Sequence, residues 1–209
     1  MTETGQTPSI PVVSKVPTII LGMGALFGFP EQSDVPSIAA MILSSKPVSD
    51  KVDDGIIKEA LLDFYTSSEK RKPDQIIIFR ERVSESQFNQ VLIKLLRLAS
   101  SLARSGTLKI VVIIGSPDNL LHGTVIDNKV CHPKNNDFYL DTHAGMIGIT
   151  RQTHYHVLLD QAGFSADDLQ EFVHSLSYMY QMNTTAIFVV PPICYAHLAA
   201  SQLGAIYED

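Results

Sequence analysis

Apolar residues run along this chain in two rhythms. The first is a set of short, nearly unbroken runs: VPTIILGM at 16–23, QIIIFR at 75–80 and KIVVIIG at 109–115. Runs of this length, rich in β-branched residues and bounded by Pro, Gly or charge, predict strands covered on both faces. The second rhythm is helical. Ile56, Ile57, Ala60, Leu61 and Phe64 share one face of a helix over 53–66, and Asp53 and Asp54 stand at its N-terminus, where the helix dipole favours acids. Ser84 and Gln87 form a capping-box start for a long helix over 84–104, which Gly106 follows. An amphipathic helix is predicted over 167–179 with Ser165 as N-cap, and a closing helix over 196–204. Further strands are predicted over 36–44, 124–130, 154–159 and 186–190. Strands alternating with helices predict an α/β sheet with helices packed on both sides.

The chain has 209 residues, enough for one domain. Hydrophobic residues make up 45% and charged residues 18%, which permits a sizeable core and argues against wholesale disorder. The polar, Pro-containing residues 1–15 read as a flexible lead-in to a domain over 16–209. The net charge of −6 argues against general electrostatic capture of nucleic acid but allows a local basic groove. Cys131 and Cys194 are the only cysteines, which fits a reducing compartment better than a disulfide framework. No apolar run reaches the roughly 18 residues that span a bilayer, and the N-terminus lacks the apolar core of a secretory signal. An intracellular, soluble protein of nucleus or cytoplasm is expected, with no membrane partner.

The strand at 16–23 ends in an uncharged, Gly-rich turn, GMGALFGF. A strand tip of this kind often carries a catalytic group, yet Gly24, Ala25, Leu26 and Phe27 can neither bind a metal nor move a proton. Several stretches explain why. VPTIILGM, QSDVPSIAA (32–40), DFYTSS (63–68), KPDQIIIFR (72–80), VSESQFNQV (83–91), GTVIDNKVCHPKNNDFYL (123–140), HAGMIGITR (143–151), THYHVLLD (153–160) and PPICYAHLAA (191–200) together resemble the PIWI domain of Argonaute proteins. The wording is similar to the plant Argonaute-four clade, which acts in small-RNA-guided chromatin silencing and RNA-directed DNA methylation.

The resemblance implies a ribonuclease H-like fold with a mixed central sheet. It also implies a catalytic Asp, Glu, Asp and His set around two Mg²⁺ ions. Such ions, roughly 4 Å apart, clamp a scissile phosphate, and Mg²⁺ requires hard oxygen ligands converging on it. Carried onto this chain, the set is incomplete. Gly24 stands where the first Asp belongs. Glu81, followed by Arg82, replaces the second Asp. The segment bearing the Glu is missing where 44–53 runs straight on, and a second deletion falls near 115–117. The His is retained as His197. A remnant slicer site at Glu81 and His197 is therefore expected to be inactive, with no metal or other cofactor held.

The same resemblance implies partners: a small guide RNA and its target RNA, and Gly-Trp-type silencing proteins. Lys129, Lys134, His143, Arg151 and Tyr180 match nucleic-acid-facing positions, whereas Met182 replaces a phosphate-binding Arg and Phe188 a small polar residue. The MID domain that makes most of the family's 5′-phosphate pocket is not in this sequence, so guide binding is expected to be weak.

Plainer readings stand beside these. Glu81 is either a metal ligand or a solvated, Arg-paired carboxylate. His143 either contacts phosphate or is a satisfied loop residue. Lys70, Arg71 and Lys72 read first as a solvated helix exit. Cys131 and His132 lack a second pair at zinc spacing. Asp141 would repel a phosphate path. His154 and His156 alternate along a strand and are expected on opposite faces, unable to share an ion. Residual RNA hydrolysis would need Glu81, His197 and another carboxylate such as Asp34 or Asp141. A truncated product keeping only a protein-interaction surface is the third alternative.

Overall fold

The computed structural model describes residues 11–26, 38–43, 46–48, 54–68, 70–82, 85–93, 95, 108–119, 137–140, 151–182 and 186–207. A helical turn, α1 (Pro11–Ser14), leads into β1 (Thr18–Leu26), β2 (Ile38–Leu43), β3 (Lys46–Val48), α2 (Asp54–Ser67) and β4 (Gln75–Glu81). Residues 88–93 and 95 form the described part of α3. Then follow β5 (Lys109–Asn119), β6 (Asp137–Leu140), β7 (Arg151–Asp160), α4 (Ala166–Ser177) and α5 (Pro191–Tyr207). The strands form one seven-stranded sheet in the order β3-β2-β1-β4-β5-β7-β6. β1, β4 and β5 are parallel neighbours, and antiparallel strands flank them on either side. The sheet is therefore mixed, as the resemblance implied.

The side-chain alternation of the central strands builds two cores, because successive residues of a strand point to opposite faces. Ile77 and Phe79 of β4, with Val111 and Ile113 of β5, pack against Leu169, Phe172 and Val173 of α4 and Ile193 of α5. Ile76 and Ile78, with Val112 and Ile114, join Leu21 and Met23 of β1 and meet Ala60, Val91 and Leu95 on the opposite face. Both faces are covered, which is why these strands read as continuous apolar runs rather than alternating ones. At the places expected to carry deletions, the described residues 46–48 and 115–117 are paired backbone. β3 pairs with β2, and β5 continues unbroken through 115–117 against β7.

Helix ends follow local chemistry. Ser165 accepts the Asp168 N–H at 3.1 Å and donates its hydroxyl to the Asp168 carboxylate at 2.7 Å, so α4 begins as expected. Lys70, with φ of 65°, closes the exit of α2, donating its N–H to the Tyr65 carbonyl at 2.8 Å. Lys70, Arg71 and Lys72 are all exposed there, in keeping with a solvated helix exit.

Several expectations need correction. The lead-in ends in α1, whose Val12 and Val13 pack on the core and whose Val12 carbonyl accepts from Gln75 at 2.7 Å. Residues 186–190 are not a strand. Their apolar character is real, since Ala186, Ile187, Val189 and Val190 are buried. Their backbone groups find other partners, however. The Ile187 N–H donates to the Ser177 carbonyl, the Val190 N–H to the Tyr155 hydroxyl at 3.1 Å, and the Thr153 hydroxyl donates to the Phe188 carbonyl at 2.6 Å. A buried backbone must be satisfied, but not by a sheet. α5 also starts earlier than 196. Pro191 and Pro192 occupy its first turn, where a missing N–H costs nothing. The expected strand over 124–130 and the helix beyond residue 95 lie outside the described residues.

Candidate functional site

β1, β4 and β5 run parallel, so their C-terminal ends gather at one end of the sheet. Gly24 lies near the end of β1 and Glu81 ends β4. α5 crosses β1 and brings His197 to the same place. The His197 Nδ1 lies 3.0 Å from Glu81 Oε1 and 3.3 Å from Oε2. The structure therefore does assemble Gly24, Glu81 and His197. The pair is open to water, with the His197 side chain 48% and the Glu81 side chain 26% exposed.

The packing beneath the pair bears on what it can do. Gly22 and Gly24 are two residues apart, so both present their missing side chains to the same face of β1. A Cβ at Gly22 would run into the backbone of Pro192. A Cβ at Gly24 would lie 2.9 Å from the His197 nitrogen and 3.0 Å from the Ala196 carbonyl carbon. The backbone of α5 thus fills the space into which a side chain at residue 24 would start. Among the described residues, the Glu81–His197 pair gains no third acidic, imidazole or thiol ligand. One carboxylate and one imidazole do not fit two Mg²⁺ ions, which need several converging oxygens.

Cys194 and Tyr180 stand beside this pair. Burial, with a further contribution from the Glu81 charge, pushes the Cys194 thiol above its ordinary range, while a hydrogen bond from Tyr180 opposes the shift. A thiol held protonated is a poor nucleophile. The Tyr180 ring lies 5.1 Å from that of Tyr195, and its hydroxyl reaches the Met182 sulfur at 3.6 Å. Met182 is 81% exposed. Phe188 is half-buried and packs on the core.

Arg151 opens β7 opposite Asn119, beyond the point where β5 passes Glu81 at Gly115. β7 is antiparallel to β5, so Arg151 sits at the same end of the sheet as Glu81. Lys129, Lys134, His143, Asp34, Asp141, Cys131 and His132 lie outside the described residues.

The expectation for His154 and His156 is overturned. Residues two apart on a strand share a face, and the two rings lie 3.7 Å apart between centroids. β6 brings Asp137 directly opposite His156 and Tyr139 opposite His154. Asp137, His154 and His156 thus converge with ligand atoms all within 4.8 Å of one another. The H-x-H spacing on a strand was the available signal. The third member was hidden because strand pairing, not sequence spacing, supplies Asp137.

Comparison with known proteins fits this architecture. The Piwi domain family matches residues 2–208. Protein argonaute 4 of Arabidopsis thaliana is 52% identical over 252 residues, covering 100% of this chain and 27% of the relative. Protein argonaute 4A of Oryza sativa subsp. japonica is 52% identical over 240 residues, covering 95% and 26%. The chain thus spans about a quarter of the length of these relatives. Among solved structures, Kluyveromyces polysporus Argonaute with a guide RNA superposes with a TM-score of 0.75 at 19% identity, over 93% of this chain and 29% of that one. The C-terminal lobe of a budding yeast Argonaute gives 0.76 at 19% identity, over 93% and 48%. With the mixed sheet, the Gly24–Glu81–His197 end and these matches together, the chain belongs to the Argonaute family as a Piwi domain.

Proposed function

We propose that this chain is a nucleic-acid-binding Piwi domain that contacts a small guide RNA, or its duplex with target RNA, without cutting it, in small-RNA-guided silencing. The observation that carries the non-cutting half is the seat of α5 against Gly24, where helix backbone occupies the start of the space a metal-binding carboxylate would need. The binding half draws on Arg151 at the same end of the sheet as Glu81 and on the guide RNA in the structurally similar Kluyveromyces Argonaute. An A-form duplex would be held through phosphates and 2′-hydroxyls rather than base edges. Filter retention of a guide–target RNA duplex across a salt series tests this. Micromolar binding that weakens as salt rises, and weakens uniformly across sequences in Arg151→Ala, is the expected result. Absence of salt-sensitive binding at micromolar protein removes the proposal.

A further inference from the structure

Asp137, His154 and His156 lie at the same end of the sheet as Glu81, but two or more strands away on the outer β6–β7 pair and on the opposite face, against Phe88, and the proposed RNA contacts make no use of them. Three facts set this cluster apart from a chance grouping. The Asp137 side chain is only 6% exposed, and its Oδ1 is buried with no hydrogen-bond partner among the described residues. A buried carboxylate oxygen left in that state is costly. The other oxygen, Oδ2, lies 3.4 Å from His156 Nδ1. That is longer than a good N–H···O bond, but it matches the separation of roughly 3.3 Å between two ligands each about 2.0–2.1 Å from a tetrahedral zinc. The imidazoles are also held in place. Tyr139 stacks on His154 with centroids 4.0 Å apart and planes 8° apart, and Phe88 packs on His156 at 5.2 Å.

We propose that Asp137, His154 and His156 bind one divalent transition-metal ion, zinc foremost, through one carboxylate oxygen and two imidazole nitrogens. The donor set selects the ion. Imidazole suits Zn²⁺ and its neighbours, whereas Mg²⁺ and Ca²⁺ prefer oxygen alone. The three side chains leave at least one position for water or another group. The site joins β6, a four-residue strand at the edge of the sheet, to β7. An ion there fastens that edge, and because it binds the folded chain it stabilises the fold by mass action.

The test uses the metal-free 209-residue chain and the metal alone. Titration with Co²⁺ as a spectroscopic substitute for Zn²⁺ is expected to give one equivalent of binding, with visible d–d bands of a four- or five-coordinate ion and competition by Zn²⁺. Asp137→Asn, nearly isosteric, and His156→Gln are expected to weaken binding by more than the about 10–100-fold typical of outer-shell changes. His197→Ala is expected to leave it unchanged. Zinc-edge X-ray absorption on the unmodified chain needs no variant to fold, and is expected to show two imidazoles per zinc. No bound Co²⁺, an affinity unchanged by Asp137→Asn, or a zinc shell without two imidazoles would overturn the proposal.

Discussion

Two places in this molecule pair a carboxylate with histidine, and they differ in what surrounds the pair. Glu81 and His197 meet across an open strand end, with helix backbone on one side and no third ligand among the described residues. Asp137 and His156 meet at an enclosed edge, with His154 beside them and a carboxylate oxygen lacking a hydrogen-bond partner among the described residues. The first place gathers no third ligand among the described residues. The second has no matched catalytic position and gathers three ligand atoms. The difference teaches that a retained residue type is weaker evidence of chemistry than the groups converging on it. A hydrogen-bonded pair in water is worth little, whereas a buried charge must find a proton, a donor or a metal.

The comparison breaks most visibly at the glycines. If α5 is seated on β1 through Gly22 and Gly24, then Gly22→Val is expected to destabilise by about 3 kcal/mol or more, and Gly24→Asp by about 1–3 kcal/mol, read from urea midpoints at constant slope. Neutral substitutions would mean that α5 stands off and a carboxylate has room.

A smaller effect is expected between the two histidines of the other cluster. Tyr155 points away from them into the opposite core and receives the Val190 N–H. Tyr155→Phe leaves that donor unpaired and is expected to cost about 1 kcal/mol at neutral pH. Burial raises the Tyr155 hydroxyl well above its ordinary range. The sign of the linkage follows: its contribution is whole below the unfolded value of about 10 and is lost as pH climbs above it. The unmodified chain should therefore lose stability faster than Tyr155→Phe in alkaline denaturation. Parallel curves would show that Tyr155 is not desolvated.

The smallest effect is expected at the old pair. Removing the ring in His197→Ala should change stability by no more than about 1 kcal/mol, because the partners are solvated. A larger loss would mark the pair as a structural link that the comparison misjudges.

Much of the architecture was legible because two-sided burial writes itself into the sequence. The IIIF of β4 and the VVII of β5 could hardly be anything but central strands, and Ser165 announced its helix through capping chemistry. What failed was pairing and closure. β6 has only four residues and takes its place from β7, so no local pattern revealed it. Residues 186–190 imitate a buried strand, yet side chains and a neighbouring helix end satisfy their backbone. At the strand end the structure brought Gly24, Glu81 and His197 together. The sequence could not tell that α5 had come to rest where a residue-24 side chain would begin. At the Asp137 cluster the parity of a strand was misjudged and its cross-strand partner was invisible, since register belongs to the fold and not to spacing along one segment.

The most direct test of the central claim is Mn²⁺ anomalous scattering from crystals soaked at high metal concentration. The account expects no manganese between Glu81 and His197, and the helix backbone still against Gly24. Two well-ligated ions roughly 4 Å apart at that strand end would contradict it.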